Sequence, residues 1–559
     1  MCGIFFSVAR GGPSWPDDAA VDALKARGPD SYKVLNVTLP DPPPGNLYLT
    51  FASSVLALRG DRIQEQPLRD PSSGSILCWN GEAWKVDGVN VQGNDSVQIW
   101  QRLLEASHSS DEHEHKTILQ VLSNITGPFA FVFYSALSAT VYYGRDSLGR
   151  RSLLMDHCDE QSLTLSSTGI SNLRSFSGEV STAAVHYLSL KQKDVTLGDL
   201  PWLNASPPIN KSLPSHVPAT TPSPSSVEEC IQYLKSALQC RVMDIPDLSH
   251  GPRPQNSAKV AILFSGGLDC TLLARLTHDI LPRNEPVDLL NVAFENPRSI
   301  TANGNLPGSP YETCPDRVTG RSSFSELCQV CPERTWKFVA IDVPYSESLA
   351  HRPTVIRLMY PHNTEMDLSI ATALYFAARG QGDVLENRSG LWTETRKSFS
   401  TARVLLSGLG ADELYAGYYR HSAAFARGDL SDLVDELELD FSRMGSRNLG
   451  RDDRVMSHWG KEVRYPYLDE DFVRLSLSLP VWEKSGFRPG KRIPKHYGRI
   501  DRVEKPEDLE PAKLLLRLAM WKLNMKTAAS ERKRAIQFGA RTAKMNAGQG
   551  RMKGTDVLV

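Results

Sequence analysis

Cys2 stands at the second position of the chain, in MCGIFF, with a glycine directly after it. A free cysteine is most often a small buried hydrophobe, but this position offers chemistry that an interior cysteine lacks. With the initiator methionine removed, as expected before a small residue, thiol and α-amine belong to one residue. That amine ionises at roughly pH 7.7–8.0, so near neutrality a fraction is free to take the thiol proton and no separate histidine base is required. A second candidate is SGGLD, Ser265 to Asp269, placed after the apolar run Val260 to Phe264. Gly266 and Gly267 allow a tight turn with exposed N–H groups, and the positive end of the helix that follows favours phosphate oxygens. No Gly-Lys-Ser/Thr follows, which separates it from a Walker A loop and leaves a pyrophosphate-binding turn as the expectation. A third candidate, SGLGADE, Ser407 to Glu413, also follows an apolar run. If both runs are parallel strands, both exits lie on one sheet edge, where ligands of open α/β sheets collect. Ser407 and Gly408 would then join the phosphate turn. Asp269 and Asp412 would face each other across the phosphates and hold Mg²⁺ by one carboxylate each, with phosphate and water completing the octahedron.

These residues need elements to position them. Before residue 204 the chain reads as short strands, NLYLTFASSVLAL, SILCWNG, FAFVFY and ATVYYG, separated by Gly, Asp, Pro and Ser turns. An antiparallel, β-rich unit with a few helices is expected there. Residues 204–226, NASPPINKSLPSHVPATTPSPSS, are rich in Pro and Ser and read as an extended linker. After it, Ser226 and Glu229 suit a capping box, and Val227, Cys230, Ile231, Leu234, Leu238 and Val242 share one helical face. The strand signals KVAILF, VDLLNVAFE, KFVAIDV and RVLLSG then alternate with helical segments, which implies a parallel sheet covered by helices. Beyond about Arg420 the pattern is mostly helical.

Composition narrows the function classes. At 559 residues the chain is long enough for several cores, and its 41% hydrophobic and 23% charged content is that of a globular protein. No apolar run reaches the roughly 20 residues of a spanning helix, and Ile4 to Val8 lacks the basic flank of a secretory signal; a cytoplasmic protein without a membrane partner is expected. A net charge of −1 gives no argument for nucleic acid, and the basic tail ERKRAIQFGARTAKMNAGQGRMKG, with Phe538 interleaved, reads as a solvated helix and frayed end in preference to a nucleic-acid-binding segment. Nine cysteines, an odd number thinly spread, argue against a disulfide framework. Cys314, Cys328 and Cys331 include one Cys-x-x-Cys but lack the fourth ligand of a structural zinc site, so a loop of reduced thiols is expected, with zinc the alternative.

Several motifs arrive together: MCGI, RGPD (Arg27 to Asp30), QPL (Gln66 to Leu68), NGE (Asn80 to Glu82), GRDSLG (Gly144 to Gly149), SGGLD, GADE, VRYPYLD (Val463 to Asp469) and KLLLR (Lys513 to Arg517). Their identities and order resemble the glutamine-dependent asparagine synthetase family over nearly the whole chain, apart from the linker and the stretch from Asn296 to Trp336. The resemblance implies an α+β N-terminal nucleophile glutaminase domain over residues 2–203, its antiparallel sheets layered with helices. It implies an α/β, parallel-sheet synthetase domain of ATP pyrophosphatase type over residues 227–559. The implied reaction frees ammonia from glutamine, adenylates a carboxylate with ATP and Mg²⁺, aspartate being the expected acceptor, and forms an amide with release of AMP and pyrophosphate.

In that scheme Cys2 is the nucleophile, Arg27 grips the glutamine carboxylate by a bidentate pair, and Asp95 and Glu82 hold its amine. Asn80 and the Gly81 N–H form the oxyanion hole. Ser265, Gly266, Gly267, Leu268, Asp269, Ser407 and Gly408 hold the phosphates, and Lys513 supplies a cation to the adenylating transition state. Asp146 and Gly149 suit a hairpin turn better than a substrate contact. Two departures stand out. Cys270 follows SGGLD where the family has serine. Leu409 stands where the family's SGEGSDE has a glutamate, and leucine can neither accept a proton nor steer an amine. The departures leave two other readings open: a ligase for another carboxylate on the same scaffold, or a binding protein that has lost synthesis. A homodimer is one assembly compatible with all three.

Overall fold

The computed structural model describes the chain except residues 1, 41–44, 109–110, 160–161, 192–195, 205, 215–221, 248–255, 299–308, 489–502, 546–552 and 559. In the N-terminal half, Gly3–Arg10 alternates with period two, as a strand between two packed layers must. Ile4, Phe6 and Val8 point to one core and Phe5 to another. The strand is central in a six-stranded antiparallel sheet ordered Gly178–Glu179, Leu154–Asp159, Ser162–Ser166, Gly3–Arg10, Leu47–Val55 and Ser31–Leu39. A second six-stranded sheet runs Thr196–Pro201, Ala184–Ser189, Thr140–Arg145, Phe129–Ser135, Ile76–Gly81 and Leu68–Arg69. The core between the sheets joins Ile4, Phe6 and Phe51 of the first to Ile76, Cys78, Val132 and Val141 of the second. Fully burying a side chain of this size contributes about 1.5–3 kcal/mol. The outer face of the first sheet carries the helix Asp18–Arg27 through Leu24. The outer face of the second carries Asp95–Ser107 and Asp111–Ser123 through Ile99, Leu103 and Ile118. Helix, sheet, sheet, helix is thus the layer order, and the antiparallel reading of this half stands.

The C-terminal half is built on a seven-stranded sheet: Leu391–Phe399, Gln381–Arg388, Trp336–Val343, Val287–Phe294, Val260–Leu263, Val404–Leu406 and Glu462–Arg464. The last five are parallel. Four of these are mainly apolar, as burial on both faces requires, and the fifth, Glu462–Arg464, is the charged edge strand EVR. Val260–Leu263 lies between Val287–Phe294 and Val404–Leu406, so the exits at Ser265 and Ser407 emerge side by side. Among the described residues, no helix is long and apolar enough to cross a membrane.

Local expectations change in five places. The helix after the Pro/Ser-rich segment starts at Pro224 with Ser223 as its cap, accepting from Ser226 N at 3.2 Å, and not with a Ser226/Glu229 box; proline is favoured in that first turn. The segment before it is not extended throughout: Ile209 is buried, and Asn210 N donates to the Leu477 carbonyl at 2.8 Å. Residues 215–221 of it lie outside the described residues. Two antiparallel strands extend one sheet edge, and the three-residue Glu462–Arg464 extends the other inside a region that reads as helical. Cys314, Cys328 and Cys331 do not share a loop, because Pro315–Val330 is a helix with Cys314 before its first turn and Cys331 after its last. At about 1.5 Å per residue its ends are roughly 20 Å or more apart, too far for Cys314 to share an ion with the other two. Asp146 does organise a turn, accepting from Leu148 N and Arg150 N at 3.1 Å. That turn joins strands of different sheets and closes no hairpin.

Candidate functional site

The first site lies where Gly3–Arg10 begins. Cys2 is 9% exposed and burial pushes its thiol up. It borders a small cavity of about 30 Å³ together with Val55 to Arg59, Gln66, Gly81, Glu82, Asn94 to Ser96 and Glu462. Asn80 sits fully buried in the adjoining strand, and both atoms of its amide lack a hydrogen-bond partner among the described residues. An unpaired buried amide is costly unless something else engages it; Asn80 is not itself among the residues lining the cavity, which its neighbours Trp79 and Gly81 border. Asp95 accepts from Ala83 N at 2.9 Å and Trp79 Nε1 at 3.2 Å, so one oxygen holds the strand exit in place.

Two acidic residues here share one guanidinium. Arg464 donates to Glu82 Oε1 at 3.0 Å and Glu462 Oε1 at 2.6 Å, all three side chains buried. Burial, then the charge of Glu462, push Glu82 up to about 8 despite Arg464. Burial opposes ionisation of Glu462 as well, but Arg464 and Arg151 hold it down at about 2. The two carboxyls share Arg464 while each has a further arginine nearby, Arg59 at 3.8 Å from Glu82 and Arg151 at 3.4 Å from Glu462, and the charge of each disfavours that of the other.

Arg27 does not take the place expected of it. Its Nη2 donates to Asp453 at 2.9 Å, Nη1 to Ser457 Oγ at 2.5 Å and Nε to the Cys2 carbonyl at 3.4 Å. A carboxylate of the C-terminal half already occupies the fork, so Arg27 fastens the backbone of Cys2 to that half. The guanidinium that borders the cavity is that of Arg59, held by the Val91 carbonyl at 2.9 Å and 3.8 Å from Glu82. Its surroundings, LALRGD, carry no motif; only its position shortly before QPL marks it in sequence.

The second site is a cavity of about 410 Å³ at the exits of the parallel strands. Gly266 has φ +78°, and a Cβ there would fall 2.5 Å from backbone atoms of Gly320, so the turn requires glycine. Gly267 precedes the helix Leu268–Ile280, whose first N–H groups face the turn. Ser265 Oγ accepts from Gly267 N at 3.3 Å and Ser407 Oγ from Leu409 N at 3.3 Å. The two exits touch: a Cβ on Gly408 would meet Asp269 Cβ at 2.9 Å. Cys270 donates its thiol to the Gly267 carbonyl at 3.3 Å, tying the turn as a serine hydroxyl would.

Lys513 joins Asp269 and Asp412. Its ammonium is 2.7 Å from Asp269 Oδ2 and 2.6 Å from Asp412 Oδ1. The backbone of Lys513 is left-handed, with φ +56°, an uncommon conformation for a residue with a side chain. Lys533, from the segment read as a solvated tail, also pairs with Asp412 and lines the cavity with Arg532 and Arg534. Burial works against the Asp412 charge, but Lys513 and Lys533 hold its carboxyl well below the usual range. The tail lacks apolar periodicity, which hid its place; Arg517 pins it by donating to the Ala529 and Glu531 carbonyls at 2.6 and 2.8 Å. Asp269 Oδ1 has no hydrogen-bond partner among the described residues. Asp269 keeps one oxygen clear of the lysines, and Asp412 would release one of its two lysines to join it in holding a divalent cation that takes its other ligands from phosphate and water; no group of three or more protein ligands occurs among the described residues. Leu409 is half-buried, packs against the core and lines the same cavity.

The sites are joined by the strand Glu462–Arg464 and the turn after it. Arg464 reaches Glu82 on one side, and Tyr467 Oη donates to the Asp269 carbonyl at 3.0 Å on the other.

Comparison with known proteins places this architecture. Residues 429–499 match the family model described as "Asparagine synthase". Asparagine synthetase domain-containing protein 1 of Bos taurus is 33% identical over 654 aligned positions, covering 98% of this chain and 96% of that protein. Another asparagine synthetase domain-containing protein, of Saccharomyces cerevisiae, is 34% identical over 523 positions, covering 91% and 86%. The glutamine-hydrolysing asparagine synthetase of Gallus gallus is 22% identical, covering 93% and 83%. The chain belongs to the family of asparagine synthetase domain-containing proteins.

Proposed function

We propose that this chain is an ATP-dependent amide ligase that obtains ammonia by hydrolysing glutamine. The observation that carries the reading is the meeting of Asp269, Asp412 and Lys513 at two adjoining strand exits, inside a cavity wide enough for a nucleotide. The glutaminase role of the N-terminal half, residues 2–203, rests on Cys2 and the unpartnered amide of Asn80. With Met1 removed, the α-amine takes the Cys2 proton and the sulfur attacks the glutamine amide carbon. Asn80 Nδ2 and Gly81 N–H receive the charge developing on oxygen. Arg59 and Glu82 orient the two ends of the substrate, while Arg27 keeps the Cys2 backbone in position.

In the C-terminal half, residues 227–559, N–H groups at Ser265 to Leu268 and at Ser407–Gly408 receive the phosphates. Asp269 and Asp412 are the residues that would hold Mg²⁺, which when bound neutralises phosphate charge. Lys513 and Lys533 exchange their carboxylate partners for phosphate oxygens as the carboxylate oxygen of the acceptor attacks the α-phosphorus and pyrophosphate leaves. Ammonia then displaces AMP from the acyl-adenylate. Leu409 supports a second reading at this last step: it places an apolar side chain where the aspartate-amidating members rely on an acid, so an acceptor other than aspartate fits this cavity. Glutamate release from glutamine by the wild type and by Cys2→Ala, with calorimetric titration of ATP with and without Mg²⁺, tests both halves. Hydrolysis lost only in the variant and Mg²⁺-dependent binding support the proposal; full hydrolysis by Cys2→Ala and absence of ATP binding refute it.

A further inference from the structure

One wall of the 410 Å³ cavity is the start of the helix Glu365–Arg379, which contributes Met366, Asp367 and Ile370. The first N–H groups of a helix have no partner within it. Here Thr364 Oγ1 accepts from Asp367 N at 3.2 Å, the ordinary side-chain cap. The two preceding donors are met from far away in sequence: Glu365 N donates to the Asp556 carbonyl and Met366 N to the Gly554 carbonyl, both at 3.0 Å. In return Leu558 N donates to the Asn363 carbonyl at 2.7 Å, and Thr364 and Val557 form an antiparallel bridge. The segment Lys553–Leu558 therefore lies along residues 363–366 as a turn followed by a single antiparallel bridge. Its turn is closed by its own Asp556, whose carboxylate accepts from Lys553 N at 2.6 Å. Leu558 packs on the core, and a Cβ on Gly554 would sit 3.4 Å from Met366 Cβ, so the fit is close. Beneath this segment Asp367 Oδ1 accepts from Arg451 Nη1 at 2.6 Å, and Arg451 is a second cavity-lining residue.

We propose that Lys553–Leu558 is a positioning element of the ligand cavity: by capping Glu365 and Met366 it holds the first turn of the wall helix, and through Asp367 it holds Arg451. The inference rests on the reading of this cavity as the nucleotide and acceptor site. Without the strap, the Glu365 and Met366 donors turn to water and the Thr364 cap alone holds the first turn, which then opens more readily. The segment touches neither Cys2 nor the phosphate turn in any contact described above, so its loss should weaken ligand binding and leave glutamine hydrolysis unchanged.

The test compares the full chain with a chain ending at residue 552 and with Leu558→Pro, which removes the N–H bonded to Asn363. Amide hydrogen exchange is read at Glu365 and Met366, Mg²⁺-ATP affinity by calorimetry and glutamate release by assay. We expect faster exchange at both amides, about a tenfold loss of ATP affinity in the shortened chain and a smaller loss in Leu558→Pro, with glutamate release unchanged. A synthetic peptide of the sequence Lys553 to Leu558, added in excess, should restore affinity and protection together. Faster exchange with unchanged affinity would reduce the segment to a helix cap and overturn the proposal, as would a loss of affinity that neither Leu558→Pro reproduces nor the peptide restores. If the full chain itself binds no ATP, the reading of the cavity fails; if it binds ATP and the shortened chain binds equally, the positioning claim alone fails.

Discussion

The two cavities differ in size and in how their charges are committed. The one at Cys2 has about 30 Å³, roughly the share of one water molecule in the liquid, and its charged neighbours already have protein partners: Glu82 has Arg464, and Arg464 also has Glu462. The other has about 410 Å³, and its cations sit on the two carboxylates that suit a metal, an arrangement that a metal and phosphates can exchange. The first is small and lined by groups already committed to one another, and under the proposed function it would have to widen to admit glutamine. The second is wider, and the exchange of ion partners proposed above would take place within it. Buried ion pairs of either kind add little net stability because desolvation offsets their attraction; their value here is in fixing geometry.

That contrast can be broken first at Cys2. Cys2→Ala should lower glutamate release by roughly 10⁴-fold or more, as removal of a covalent nucleophile does, while the melting temperature and ATP affinity stay at wild-type values. Calorimetry and a glutamate assay check all three, and intact mass should show a chain starting at Cys2. Equal hydrolysis in the variant would remove any distinction between the cavities as catalytic sites. The next largest effect belongs to Leu409. Ammonium supplied directly with aspartate should give asparagine roughly 10²- to 10⁴-fold more slowly than an acid at this position would allow, and Leu409→Glu should raise the rate if the cavity tolerates the charge. Mass spectrometry of the product decides it.

A smaller effect sharpens the exchange of partners. Asp269→Asn and Lys513→Met should each weaken Mg²⁺-ATP binding by about 10- to 100-fold, through opposite charge changes at one centre, and leave glutamate release intact. Binding as tight as wild type in both would mean that this ion cluster only ties loops together.

The smallest effect is a pH dependence at the first cavity. Glu82 is raised to about 8 from 4.5, so between those values the folded chain holds a proton that the unfolded chain has lost. Stability contributed by this group therefore falls as pH rises from about 4.5 through about 8. Glu82→Gln should flatten that decline in denaturant titrations at pH 5 and pH 8.5. An unchanged slope would place the shared proton elsewhere in the Glu82, Arg464 and Glu462 group.

Legibility in the sequence followed the same divide between local and distant causes. The period-two strands, the apolar parallel strands and the glycine turn at Ser265 were readable because each is set by a few adjacent residues. The approach of Asp269 to Asp412 was readable because parallel strands bring their exits to one edge. Arg59, Lys533 and the strap at Lys553–Leu558 were not, since their positions depend on pairings with residues far along the chain. Arg27 shows the reverse difficulty: its motif is plain, but its fork is filled by Asp453, a partner 426 positions away. The strand Glu462–Arg464 has three residues, too few for any periodicity to show.

The most direct test of the account follows the products of the purified full chain supplied with glutamine, ATP, Mg²⁺ and a panel of amino-acid and other small carboxylates. Glutamate, AMP, pyrophosphate and any amide are measured together by mass spectrometry. Glutamate release should depend on Cys2, and AMP and pyrophosphate should form in equal amounts only when a suitable carboxylate is present, with aspartate a poor one. Absence of AMP and pyrophosphate with every carboxylate, while ATP fails to bind at all, would contradict it.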